Sequence, residues 1–157
     1  MIVKPIGIIR SPFKTRGETP IQPIMSDKTG QVKVYKQLSA GLRDINRFSH
    51  IIIIYRFHKS RGYKLLVKPF LDTRKRGLFS TRYPFRPNKI GISVVRLLNR
   101  RKNTLFVKGI DVIDGTPLID IKPYVPDFSA PTKVRTGWYK NKIKGKVICP
   151  DLVSAGE

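Results

Sequence analysis

The sequence predicts a mainly β protein, a small β-barrel or sandwich carrying one or two short helices. Three observations lead there. Short runs rich in isoleucine, valine and aromatic residues recur at hairpin spacing, as in HIIIIYRFH (His50 to His58) and IGISVVRLL (Ile90 to Leu98). Turn formers punctuate them at Ser11-Pro12, Pro69, Gly115 and Pro123. Helical spacing appears in a single place, at Leu38, Leu42 and Ile45. A chain of 157 residues is one domain's worth and long enough to bury a core.

Taken in order, Ile2 to Arg10 is a first strand, ended by Ser11-Pro12. Pro12 to Gly30 is a loop with prolines at 12, 20 and 23, and a loop of that length in a compact domain is functional or disordered. Gln31 to Tyr35 is a short strand, and Lys36 to Arg47 makes one or two helical turns weakened by Gly41. His50 to His58 is a central strand buried on both faces, by its four consecutive isoleucines. Tyr63 to Lys68 is a strand broken by Pro69, and Leu71 to Gly77 is a basic loop. Ile90 to Leu98 and Thr104 to Val112 pair as a hairpin across the charged turn Arg100 to Asn103. Leu118 to Ile121 is a further strand, the chain is irregular from Pro123 to Gly137, and Lys142 to Ile148 is a last basic strand.

The charge balance narrows function. With 32 Lys and Arg against 10 Asp and Glu the net charge is +22, a field that attracts polyanions: nucleic acid first, an anionic membrane second. The single cysteine, Cys149, excludes an internal disulfide and agrees with a cytoplasmic address. Pro5, Gly7 and Arg10 break the apolar N-terminus, so no signal peptide is expected, and no stretch of about 20 apolar residues could span a membrane. There is no GxGxxG and no GxxxxGK[ST], which removes the Rossmann and P-loop readings. Two scattered histidines and one cysteine give no metal-ligand spacing, so no metal is expected.

Two stretches carry the chemistry. FSTRYPFRPNKIGIS (Phe79 to Ser93) carries Arg82 and Arg86 beside prolines 84 and 87, which stiffen the loop just before a strand. DVIDGTPLIDIKPY (Asp111 to Tyr124) follows one hairpin later, and the two stretches are expected to face one site. His50 at a strand start reads as a half-buried structural histidine, whereas His58 at the strand's exit is a candidate ligand contact. Asp114-Gly115-Thr116-Pro117 reads as a β-turn, and in so basic a chain its carboxylate is also a scarce negative site.

Together, IGIIRSPF (Ile6 to Phe13), GLRDINRFSHIIIIYRFH (Gly41 to His58), FSTRYPFRPNKIGIS and DGTPLIDIKPYVP (Asp114 to Pro126) resemble the TsaA-like, or TrmO-type, family of tRNA adenine N(6)-methyltransferases. The resemblance covers Met1 to about Pro126, four motifs in family order. It implies a small non-Rossmann β-barrel that binds S-adenosylmethionine, forms a homodimer, and methylates the exocyclic nitrogen of threonylcarbamoyl-adenosine beside the anticodon of a tRNA. Barrel domain and basic C-terminal extension would then occupy residues 1–130 and 131–157.

By motif position, the resemblance assigns cofactor binding to Pro20, Ile21 and Gln22, to His58 and Lys59, to Arg82 and Ile92, and to Asp114, Gly115, Thr116 and Pro117. Ile21 replaces the family's arginine, removing a charge. Lys89 replaces a proline, which is expected to loosen the loop and add a cation. Candidates for tRNA phosphates are Arg74, Lys75, Arg76, Arg86 and Lys89, with Lys140 and Lys142 in a tail that also holds Lys133, Arg135, Lys144 and Lys146. Any one of them alone reads as a solvated surface charge. Trp138 and Tyr139 read as anchors of that tail. Attack on a sulfonium methyl needs a neutral nitrogen in line with the C–S bond, and adenine's amine lone pair is delocalised into the ring. An acceptor at the amine would help, but the sequence singles out no catalytic residue. Two alternatives stand beside the tRNA reading: a non-catalytic basic RNA-binding barrel, or a methyltransferase of this fold with another acceptor.

Overall fold

A computed structural model describes residues 2–21, 23–129, 134–140 and 142. Six strands close into an antiparallel barrel: β1 (Gly7–Arg10), β2 (Thr29–Val34), β3 (His50–Arg56), β6 (Ile90–Arg101), β7 (Thr104–Lys108) and β8 (Thr116–Pro123), in the order β1-β2-β7-β6-β3-β8. Between β3 and β6 lies a two-stranded ribbon, β4 (Leu66–Val67) with β5 (Arg76–Gly77). A single turn of helix, α1 (Pro126–Ser129), follows β8.

Alternation fills the barrel. Ile9, Val32, Val34, Ile51, Ile53, Tyr55, Val95, Leu97, Leu105, Val107 and Leu118 point inward and are buried, with Phe13, Leu42, Ile110 and Val112 plugging the ends. Gly7 is dictated by close approach, because a Cβ there would lie 2.9 Å from the Val34 Cα and against the Lys33 backbone. The four isoleucines do not make β3 buried on both faces. Ile51 and Ile53 are inside, but Ile52 and Ile54 are only half-buried on the outer wall beside the exposed Ile92 and Val94 of β6.

Several expected boundaries move for local reasons. The first strand begins at Gly7 rather than Ile2, since Pro5 supplies no donor to the ladder. The helical turns are 3-10 segments over Lys36–Leu42 and Ile45–Arg47, burying little beyond Leu42. The strand expected from Tyr63 shrinks to Leu66–Val67, and it pairs with Arg76–Gly77 inside the stretch read as a basic loop. Thr104's strand stops at Lys108, where Gly109 at φ +86° turns the chain. The strand expected from Lys142 to Ile148 falls outside the described residues, apart from Lys142.

Register gives the barrel two unlike ends. At one end β6 turns into β7 through Lys102 and Asn103 alone. The 35–49 connection joins β2 to β3 at this same end, while three connections leave from the other: 11–28 between β1 and β2, 57–89 between β3 and β6, and 109–115 between β7 and β8. Every motif singled out in the sequence beyond residue 10 and before β8 lies on one of these connections or at the strand ends beside them, except the 41–49 half of the second.

Candidate active site

The three connections at this mouth are tied to one another. Ser11 N–H donates to Asp114 Oδ1 at 3.1 Å and its hydroxyl donates to the Val112 carbonyl at 2.6 Å. Lys14 Nζ reaches Asp114 Oδ2 at 2.9 Å, with Arg10 at 3.7 Å. The Lys14 hydrogen bond, ahead of the Ser11 amide, holds the Asp114 carboxyl below its usual range. Lys59 Nζ donates to the Lys14 carbonyl at 3.2 Å. Arg16 stacks over Tyr83 and Phe85, its guanidinium carbon 5.2 and 4.7 Å from the ring centres, so the 11–28 segment clamps the FSTRYPFRPN loop.

His58 and the DGTP turn meet directly. Thr116 Oγ1 donates to the Ile113 carbonyl at 2.6 Å and faces His58 Nδ1 at 3.4 Å. Burial, then the charges of Lys59 and Arg56, lower the His58 pKa, so its imidazole is neutral near pH 7. Gly115 holds φ +78°, and nothing lies within 4 Å of where a Cβ would stand.

Beneath the turn is a polar chain that no motif announced. The Tyr55 hydroxyl and Ser93 Oγ lie 3.0 Å apart inside the barrel, and Ser93 Oγ donates to Asp111 Oδ1 at 2.7 Å. Ser93 has one proton, given to Asp111, so Tyr55 donates to Ser93. Burial pushes the Asp111 carboxyl up to about 7, opposed by the Ser93 hydrogen bond and by the charge of Arg82. Burial likewise raises the Tyr55 phenol, which stays protonated. Arg82 thus reaches this chain from the 57–89 connection, while Asp111 follows the Gly109 turn. The signal for Asp111 was available: it opens the second stretch, in a chain with few acids.

The other assigned residues are placed unequally. His58, Lys59, Asp114, Gly115 and Thr116 converge at the mouth, Arg82 adjoins them through Asp111, and Pro117 pairs with Ile8 in the wall. Pro20 and Ile21 lie half-buried in the 11–28 segment, and Gln22 lies outside the described residues. Ile92 stands apart, half exposed on the outer face, because the inward positions of β6 are Gly91 and Ser93.

Among the basic candidates, Arg74, Lys75 and Lys140 are exposed. Arg76 is held by Asp72 at 2.7 Å from both Nε and Nη2, and Lys142 reaches the same carboxylate at 3.5 Å. The Arg76 bond takes Asp72 down to about 2. Trp138 donates Nε1–H to the Ser80 carbonyl at 2.9 Å and stacks on Tyr139, anchoring residues 134–140 against this loop. Arg86 turns inward, donating to the Thr81 carbonyl at 2.9 Å with those of Leu78 and Tyr83 at 3.4 Å, so it braces its own loop. Lys133, Lys144 and Lys146 lie outside the described residues.

Lys89 does not loosen its loop. It adopts φ +52°, its N–H bonds the Arg86 carbonyl at 3.2 Å, and its carbonyl accepts from Phe57 at 2.8 Å. Proline could satisfy neither the φ nor the first bond, so the loop is built around a non-proline here. Lys89→Gly should hold or raise the urea midpoint, whereas Lys89→Pro should cost about 3 kcal/mol. Equal midpoints for the two variants would contradict this.

Comparison with known proteins finds relatives over most of the chain. Residues 8–130 match the family model described as the tRNA-methyltransferase O N-terminal domain. A probable S-adenosyl-L-methionine-binding protein of Pyrococcus abyssi is 51% identical over 141 residues, covering 89% of this chain and 77% of that protein. A tRNA (adenine(37)-N6)-methyltransferase of Mus musculus is 38% identical over 139 residues, covering 83% of this chain but 32% of the mouse protein. The crystal structure of TrmO from Pseudomonas aeruginosa superimposes with a TM-score of 0.72 at 37% identity, covering 87% of this chain and 61% of that one.

Proposed function

Because this chain belongs to the tRNA-methyltransferase O family, we propose that it transfers a methyl group from S-adenosylmethionine to the exocyclic N6 of an adenosine in tRNA. The finer reading is that this adenosine is the threonylcarbamoyl-adenosine beside the anticodon, in the cytoplasm. The observation that supports the methyltransferase reading most is the convergence of three connections on one barrel mouth, where Thr116 faces His58, Ser11 and Lys14 hold Asp114, and Asp111 feels the charge of Arg82.

The donor set suits the cofactor. S-adenosylmethionine carries a sulfonium, an ammonium, a carboxylate and a ribose diol. Asp114 offers an acceptor for the cationic and hydroxyl groups, Arg82 offers a counter-charge for the carboxylate, and Gly115 leaves open space beside the turn. When bound, the cofactor supplies an electrophilic methyl group. An anticodon-loop base is unpaired, so extruding it into a mouth of this kind costs little.

The β4–β5 ribbon is suited to hold the RNA. Exposed Phe70 and Phe79 offer stacking faces beside Lys68, Arg74 and Lys75, while Asp72 is neutralised by Arg76 and Lys142. The apolar outer wall, with exposed Ile90, Ile92, Val94 and Leu98 on β6, is the surface a second copy would cover in the homodimer. Light scattering at the monomer mass would remove that part of the reading.

The deciding experiment incubates the chain with methyl-labelled S-adenosylmethionine and tRNA with or without the threonylcarbamoyl group. Label on N6 only in the modified tRNA supports the full reading, and label on both supports the coarser one. Cofactor binding without transfer to either tRNA would favour another acceptor. Absence of cofactor binding in calorimetry would leave the non-catalytic RNA-binding alternative. In the same assay, Arg74→Glu with Lys75→Glu should weaken tRNA binding about 10-fold or more and flatten its salt dependence, with cofactor affinity unchanged.

A further inference from the structure

A nitrogen conjugated to a purine ring is a poor nucleophile while it keeps its proton, so methyl transfer to N6 calls for a nearby acceptor. Among the described residues at the mouth, the available carboxylates are unequal. Asp114 is committed to Lys14, Arg10 and the Ser11 amide, which keep it ionised and weakly basic. Asp111 accepts from Ser93 on Oδ1 and faces the charge of Arg82, and a carboxylate can accept at several further lone pairs.

We propose that Asp111 is the proton acceptor of the transfer, with Ser93 and Tyr55 as the positioning residues that aim it from inside the barrel. The proposal rests on the N6-methyltransferase reading given above. In the step, the N6–H bond breaks and its proton passes to the Asp111 carboxylate. The nitrogen electron pair forms the new N–CH3 bond, and the C–S bonding pair returns to sulfur, leaving a neutral thioether. No further reactant is required.

The placement is built rather than incidental. Gly109 turns the chain at φ +86°, Ile110 is fully buried as an anchor, and Asp111 is thereby held at the mouth, three residues before the DGTP turn. Tyr55 is fixed by packing on Phe57 and by the bond its hydroxyl gives to Ser93. That chain delivers one directed hydrogen bond to the carboxylate and offers it no cation. The charged group facing Asp111 is Arg82, on the 57–89 connection, and the polar groups facing it are Ser93 on β6 and Tyr55 on β3. Its acidity then sits where a general base is effective, near neutrality.

Three measurements on the full chain test this. In the cofactor-free protein, the Asp111 side-chain carboxyl carbon followed by NMR should titrate with a midpoint near 7; a midpoint near 4, that of an ordinary aspartate, would overturn the proposal. Asp111→Asn should bind S-adenosylmethionine within about 3-fold of wild type by calorimetry and lose methyl transfer by about 10²–10⁴-fold. Retained transfer with an active wild type would overturn Asp111 alone, whereas an inactive wild type would overturn the methyltransferase reading beneath it. Loss of cofactor affinity in Asp111→Asn would make the residue a binding group instead. Ser93→Ala removes the bond that stabilises the carboxylate, so it should move the pH–rate midpoint upward while keeping the plateau rate within several-fold. An unmoved midpoint would remove Ser93 and Tyr55 from the assignment.

Discussion

Gly91→Ala is expected to destabilise the chain by about 2–3 kcal/mol and to lower methyl transfer with it. An added Cβ would stand 2.7 Å from Tyr55 Cζ and 2.8 Å from Phe57 Cζ. Neither ring can yield cheaply. Tyr55 is 3% exposed, its hydroxyl is bonded to Ser93, and its ring meets that of Phe57 in a T-shaped contact at 5.4 Å and 86°. Relief would have to come from shifting Tyr55, which moves the base of the Tyr55–Ser93–Asp111 chain. Gly41→Ala is the control, because nothing lies within 4 Å of its Cβ and its φ is ordinary. That change should be neutral or stabilising by up to about 1 kcal/mol, through the unfolded state. Urea denaturation of both variants decides it, and a Gly91→Ala midpoint equal to wild type would mean that the rings repack freely.

That glycine shows how far the sequence can be read. The period of two in IGISVVRLL placed Gly91, Ser93 and Val95 on one face, and this face is the barrel interior. What periodicity could not convey is that a serine on that face has a tyrosine on one side and an aspartate on the other, because the three are brought together by closure of the barrel. Tyr55 and Ser93 are 38 residues apart and Ser93 and Asp111 are 18 apart. The convergence of His58, Asp114, Gly115 and Thr116 on one mouth was legible, since each lies at the end of a strand visible in the pattern. Arg86 was misleading for a local reason. A cation between two prolines looks poised for a ligand, yet the same tight loop leaves carbonyls unsatisfied, and the guanidinium turns back to Leu78, Thr81 and Tyr83. The four isoleucines of β3 were misleading too, because an apolar outer wall and a buried one have the same composition.

Asp111→Asn should make the protein more stable at pH 8 while leaving it equally stable at pH 3. The folded carboxyl is pushed up to about 7 from an ordinary value of 3.8. Between those two values the folded chain holds a proton that the unfolded chain releases, so stability falls as the pH rises through this window. At about 1.4 kcal/mol per unit the loss is at most about 4 kcal/mol, and less to the extent that the mouth is wet. Asparagine has no proton to lose and can still accept from Ser93, so the variant escapes that loss above pH 7. Below 3.8 both states of the wild type are protonated and the difference closes. Asp72, Asp114 and Glu18, whose carboxyls are all held low, act in the opposite direction, withdrawing stability as the medium turns acid. They do so equally in both proteins, and the difference between the two stability curves therefore isolates Asp111. For a domain of this size each kcal/mol moves Tm by about 2–4 °C, well within the reach of a calorimetric scan. Parallel curves would mean that Asp111 titrates as an ordinary surface aspartate. Diverging curves, in a variant that binds cofactor but transfers no methyl group, would identify a carboxylate kept at a cost to stability for the sake of its basicity.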